Sequence, residues 1–349
     1  MSFFKKISVL FVSVLFFSAT VAGLMSKSAS AAELNFSVTS VLPDNQIDKK
    51  QSYFDLKMKP GQEQTVYVML DNATDKKVTV MVSANEAKTN INGTTQYDKN
   101  KIERDSTLNY SLEDIVTVKN KVVIPPKKKV KLPVHLKMPD KEVKGIILGG
   151  LSFQQKESEL DQAEKDSAKE NGMSIKNRFS YNLAMSLKMT DDQVEPELVL
   201  NKVEAQSINA RTVITANIQN TQPMLMNQLE VNAFITKKGE SEKLFKKNMK
   251  EMQMAPNSNF NYQIPLNGEQ LEAGTYTADV TAKSMGETWH WKKDFTISSD
   301  EAKQLNKADV DAKDDSINWT MWILIAVGII IVLLLLLILV RQNKNKRRS

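Results

Sequence analysis

Between Val130 and Met138 apolar and polar residues alternate without a fault: Val130, Leu132, Val134, Leu136 and Met138 on one side, Lys131, Pro133, His135 and Lys137 on the other. A period of two lets an extended strand bury one face and wet the other, whereas a helix with this pattern would spread its apolar residues around its axis. The pattern recurs. Val66, Val68 and Leu70 alternate up to the turn residues Asp71-Asn72-Ala73-Thr74-Asp75, after which Val78, Val80 and Val82 alternate again. In the second half Ile214, Ala216 and Ile218 lead into Asn220-Thr221-Gln222-Pro223, and Leu229, Val231, Ala233 and Ile235 follow. Many short alternating segments divided by turn residues predict an all-β chain of the sandwich type. Pro133 has no amide proton to give to a ladder, which predicts that its strand lies at a sheet edge.

The two ends read differently. Lys5-Lys6, an apolar run from Ile7 to Phe17 and the small residues Ser28-Ala29-Ser30-Ala31-Ala32 make up a secretory signal, expected at 1–32. From Trp319 to Val340 no residue is charged, and a helix of that length crosses a hydrocarbon layer of ~30 Å. Trp319 and Trp322 suit the headgroup zone at its outer end, and Arg341, Lys344, Lys346, Arg347 and Arg348 follow its inner end. The expectation is a single-pass cell-membrane protein with a juxtamembrane stalk at 300–318, a transmembrane helix at 319–340 and a basic cytoplasmic tail at 341–349. On this reading the N-terminal side faces outward, toward the wall. The tail resembles a Gram-positive sorting signal, but no LPxTG-like pentapeptide precedes it, so a retained anchor is expected.

The formal charge of +6 belongs to these ends. Lys5, Lys6, Lys27 and the five basic tail residues are eight of the 47 cations, and neither end holds an acid. The region 33–318 therefore carries 39 basic against 41 acidic residues, a net of −2, and a nucleic-acid partner loses its main support. With no cysteine, disulfides, thiolate metal sites and thiol catalysis are excluded. A cysteine-free exported chain fits a bacterium better than a eukaryotic ectodomain.

Motifs for catalysis are sparse. His135 and His290 are the two histidines, and neither has a second histidine or a carboxylate at metal-ligand spacing. No cofactor, metal or catalytic residue is expected. A wall-glycan-modifying enzyme is the alternative reading, since paired carboxylates can cleave glycans, but scattered acids are the ordinary surface of a soluble domain. The glycines of Gly145-Ile146-Ile147-Leu148-Gly149-Gly150-Leu151 sit inside an apolar strand, where they predict a bulge or close packing, not a phosphate cradle. Trp289 and Trp291 share a strand face with Phe295 and Ile297, which favours a core over an exposed binding pair. Gly274-Thr275-Tyr276 ahead of Ala278, Val280 and Ala282 matches a tyrosine corner, so the expected fold is two tandem immunoglobulin-like sandwiches. Gln154 to Asn171 is highly charged and marks the expected junction between them. The strand pattern near 178–189 suits either sandwich.

Phe36 to Gln46, Tyr53-Phe54-Asp55-Leu56, Pro60-Gly61-Gln62, Ala87 to Gly93 and the Gly145 to Phe153 strand resemble the WxL-interacting proteins of Gram-positive bacteria. So do Ala216 to Pro223, Ala255 to Phe260, Gly274 with Tyr276, and the Trp289 stretch. The resemblance implies a peptidoglycan-binding domain at 33–155, a charged linker at 156–174 and a host-binding domain at 175–299. It also implies secreted WxL-domain proteins and host extracellular proteins as partners. It supplies no ligand contacts. For a wall glycan, rich in hydroxyls and amides, Tyr53, Asn90, Tyr97 and Tyr110 in turn-rich stretches are the candidate contacts, with Trp289 and Trp291 in the second half.

Overall fold

The structure, a computed structural model, describes residues 35–159, 179–311 and 323–334. The expected signal at 1–32, most of the charged linker at 156–174, the stalk beyond residue 311 and the basic tail lie outside these residues. Residues 323–334 of the expected membrane span are helical and expose their apolar side chains. Among the described residues no helix is long and apolar enough to cross a membrane.

The first sandwich packs two sheets face to face. One has the order β1-β3-β9-β7, from β1 (Ser37–Val41), β3 (Glu63–Asp71), β9 (Lys129–Lys137) and β7 (Val116–Val118). The other has the order β2-β11-β10-β4-β8, from β2 (Phe54–Lys57), β11 (Ser180–Lys188), β10 (Ile146–Gln155), β4 (Val78–Glu86) and β8 (Lys121–Ile124). The alternating residues do what their period demands: Val66, Val68 and Leu70 of β3 and Leu132, Val134 and Leu136 of β9 are buried against Phe54, Leu56, Val80, Leu151 and Phe153. A short hairpin, β5 (Lys88–Thr89) with β6 (Thr95–Gln96), and a single helical turn, α1 (Leu112–Ile115), cover the second sheet.

Pro133 does not mark an edge, because β9 lies between β3 and β7. The proline is tolerated because β7 pairs only with Val134, His135 and Leu136 and stops short of it. The strand near 178–189 belongs to the first sandwich: β11 runs antiparallel to β10 and parallel to β2. The sheet of the first sandwich thus runs on to Lys188, past residue 175, the expected start of the host-binding segment.

The second sandwich has one sheet of order β12-β13-β16 and one of order β15-β14-β17-β18. The strands are β12 (Leu198–Ile208), β13 (Arg211–Asn220), β14 (Met226–Lys237), β15 (Phe245–Met254), β16 (Ser258–Pro265), β17 (Gly274–Ser284) and β18 (Glu287–Ile297). The tyrosine corner is present: the Tyr276 hydroxyl donates to the Glu272 carbonyl at 2.8 Å. A helix after β18, α2 (Ser299–Ala308), is capped by Ser298, whose hydroxyl accepts the Glu301 amide.

The echo between the halves has a physical cause in Asn72 and Asn220, each fully buried just after or at the end of an equivalent strand. Asn72 donates to the Lys76, Ile124 and Pro125 carbonyls at 2.8–3.1 Å and accepts the Thr74 amide at 2.9 Å. Asn220 donates to the Met224 and Ala255 carbonyls at 2.7 and 2.9 Å and accepts the Gln222 amide at 3.1 Å. One amide side chain thus satisfies the backbone of two loops that would otherwise leave buried carbonyls bare.

Because Met185, Leu187 and Met189 are buried in the first core, a fragment spanning 35–155 lacks three core side chains and the β11 partner of β2. Losing buried side chains of this size costs roughly 2–5 kcal/mol each, against a total stability of ~5–15 kcal/mol. The fragment is expected to unfold without a cooperative urea transition, and one spanning 35–190 to show one. Equal cooperative unfolding by both would remove β11 from the first sandwich.

Candidate functional site

The six sequence candidates do not converge. Asn90 is consumed by its own turn, its Oδ1 accepting the Asn92 and Thr94 amides at 2.9 and 3.1 Å. Tyr97 lies half-buried over Gly150, where an added Cβ would come within 2.7 Å of the Tyr97 Cβ. Burial raises its pKa, and so, secondarily, does the neighbouring Tyr53. The Tyr53 carbonyl accepts the Gln46 side-chain amide at 3.0 Å. Tyr110 packs against the first core. Trp289 and Trp291 are half-buried against the second core, as their shared face with Phe295 indicated.

What the structure does bring together is the junction between the sandwiches. Gly93 at the β5–β6 turn has φ +64°, and a Cβ there would stand 2.5 Å from the Met252 sulfur. Gly145 has φ +76°, and a Cβ would collide with the Pro223 carbonyl oxygen. These glycines let backbone meet backbone: the Gln253 amide donates to the Gly93 carbonyl at 2.7 Å, and the Ile146 amide to the Pro223 carbonyl at 2.8 Å. Ala87, Leu148 and Ala255 form a small apolar cluster across the seam, while Thr89 Oγ1 meets Ser258 Oγ at 2.6 Å and accepts the Ala255 amide at 3.0 Å.

Asp105 is a carboxylate in this seam, and only 7% of it is exposed. It accepts the Gln219 side-chain amide at 2.8 Å, the Asn259 amide at 2.6 Å, and the Thr107 amide and hydroxyl at 2.9 and 2.7 Å. Burial opposes its charge, yet the donors from Asn259, Thr107 and Gln219 together hold its pKa below the ordinary value. Sequence reading missed Asp105 because nothing local marks it; Asp-Ser-Thr signals an Asx turn but not the partners from the other domain. Beside it opens a groove lined by Thr107 to Tyr110, Lys141 to Lys144, Ile146, Ile147, Thr221, Pro223 and Asn257. Both sandwiches build its walls.

Residues 36–155 match the WxL Interacting Protein peptidoglycan binding domain, and residues 170–307 match the WxL Interacting Protein host binding domain. The chain belongs to the WxL-interacting protein family. Within the family match, the host-binding segment begins before β11, so one strand of the first sandwich falls inside the segment matched to the second domain. No curated protein matches the chain. Among solved structures, a chaperone–tip adhesin complex of CFA/I fimbriae is 12% identical and covers 74% of this chain and 99% of its own, at a TM-score of 0.30. The E. coli chaperone DraB is 13% identical, with coverages of 76% and 98% and a TM-score of 0.27. The Pseudomonas aeruginosa CupB2 chaperone is 9% identical, with coverages of 68% and 96% and a TM-score of 0.25. Scores this low carry no functional inference.

A carboxyl whose folded pKa is depressed gives stability above its unfolded value, near 3.9, and loses it as pH falls through the lower folded value. Asp105→Asn keeps the size but cannot accept every donor, so it should lower the melting temperature at pH 6. The gap to the parent protein should narrow as pH drops from about 5 to 3. A gap independent of pH would mean that the Asp105 charge does not hold the seam.

Proposed function

We propose that this WxL-interacting protein is a non-enzymatic binding and scaffolding protein of the bacterial surface. Its first sandwich holds peptidoglycan, its second engages host extracellular proteins, and secreted WxL-domain proteins join it in a surface complex. The observation that carries this reading is the tandem match of both binding domains to two sandwiches joined by a built seam. A segment at 319–340 anchors the protein in the cell membrane, with its signal removed and its basic tail inside; the charge-free run and the flanking cations support this.

The fold gives that arrangement a direction. The end of α2 is tied to the start of β13: the Val310 amide donates to the Ala210 carbonyl at 2.9 Å, the Thr212 amide donates to Asp309 at 3.1 Å, and Arg211 pairs with Asp311. The other end of β13, at Asn220, lies beside the seam. Ten residues of strand separate the two ends by ~30 Å. An anchor following α2 would thus hold the peptidoglycan-binding sandwich away from the bilayer, toward the wall.

With a net charge of −2 over 33–318, wall binding is expected to rest on hydrogen bonds and packing more than on ion pairs. The region 33–311 should sediment with purified peptidoglycan, and high salt should weaken this only slightly. In wall-stripped cells a tag at Ser349 should survive external protease while the sandwiches are digested. Sedimentation abolished by moderate salt would overturn the wall-glycan reading in favour of adhesion to anionic polymers, and digestion of the tag would overturn the orientation.

A further inference from the structure

We infer that the glycan of peptidoglycan binds on the outer face of the β1-β3-β9-β7 sheet, with a sugar ring stacked on Tyr67. This rests on the proposed peptidoglycan reading and names the surface that serves it.

All four strands lie within the segment matched to the peptidoglycan binding domain. The other outer face of this sandwich is occupied: Tyr97 packs on Gly150, and Leu148 is buried against Ala255 of the second sandwich. Among the described residues the β1-β3-β9-β7 face has no such cover. Its register sets residues in rows across the sheet, because directly paired residues of antiparallel strands share a face. Val41, Tyr67 and Pro133 form one row, which crosses three strands over roughly 10 Å. Thr65, His135 and Thr117 form the next, with Thr65 Oγ1 hydrogen-bonded to His135 Nδ1 at 2.8 Å. The face is therefore an apolar, aromatic row beside a row of hydroxyls and an imidazole. That juxtaposition suits a pyranose, whose C–H face packs on an aromatic ring while its hydroxyls and acetamido group exchange hydrogen bonds.

Two ion pairs flank the rows on this face, and Lys131 adds one further cation. Glu63 pairs with Lys137 at 3.1 Å beyond one side of the rows, and Asp71 with Lys129 at 3.0 Å beyond the other. The flanking carboxylates are thus neutralised, and Lys131 is the charge that stands at the rows themselves. Lys131 holds its ammonium 3.9 Å from the centre of the Tyr67 ring. Such an exposed cation–π contact is weak, so in the free protein the lysine occupies the ring face and yields it to the sugar. Binding to sugar and binding to an anionic polymer then differ in sign at Lys131: its removal frees the ring for the first and deletes an attraction for the second.

The test is co-sedimentation of the exported region 33–311 with purified peptidoglycan, and with glycan strands freed of stem peptides by an amidase. Tyr67→Ala should weaken both by at least about tenfold with an unchanged melting temperature. Tyr67→Phe should keep binding, and Lys131→Ala should keep or strengthen it. The exposed groove variant Asn109→Ala should bind like the parent protein. Should Tyr67→Ala not fold, the exposed His135→Ala serves in its place, with a several-fold loss expected. Failure of the parent protein to sediment would reject the peptidoglycan reading itself. Parent binding that survives Tyr67→Ala with His135→Ala, that needs stem peptides, or that falls with Lys131→Ala would leave that reading standing and overturn this site.

Discussion

A carboxylate is expensive to bury, and Asp105 is tolerated in the seam because four donors from two domains meet it. Two of those donors, Gln219 and Asn259, stand on the β13 and β16 strands of the second sandwich, while Asp105 and Thr107 belong to the excursion over the first. The bonds form only when the domains are docked in one orientation. Once Asp105 is satisfied, Gly93 and Gly145 can bring backbone against Met252 and Pro223, and the Ala87, Leu148 and Ala255 cluster closes. Covering the second sheet of the first sandwich in this way leaves its β1-β3-β9-β7 face as the one that no described residue covers.

The consequence for function is geometric. A peptidoglycan-binding domain and a host-binding domain on a flexible tether would sample many distances, whereas a seam of hydrogen bonds and close glycines fixes one. In the proposed arrangement α2 fastens the membrane-proximal end of β13 and the seam fastens the other, so the wall-binding face stands at a set height above the bilayer.

Sequence made the strands legible because their signal is local. Val66, Val68, Leu70 and the run from Val130 to Met138 declare a period of two, and Gly274 with Tyr276 declares a corner, each within a few residues. The order of the strands was not legible, because it depends on pairing across long separations: β11 joins β10 and β2, and Pro133 sits in an interior strand because β7 is short. Asn72 and Asn220 read as turn residues, and only the fold shows them buried. The structure does not gather the candidate contacts into one site, for a related reason. Turn-rich stretches drew attention to Asn90 and Tyr97, yet this protein spends those residues on its own turns and on the cover of its second sheet. Tyr67 lay in plain view on the solvent phase of an alternating strand, where an aromatic residue is the departure from pattern.

The Asp105 seam makes the two sandwiches one rigid body. Backbone amide ¹⁵N relaxation of the region 33–311 tests it directly, because tumbling times report whether domains move together. One rotational correlation time shared by β1–β11 and β12–β18 is the predicted result, with Asp105→Asn splitting it at neutral pH. Two separate times in the parent protein would show sandwiches that move independently.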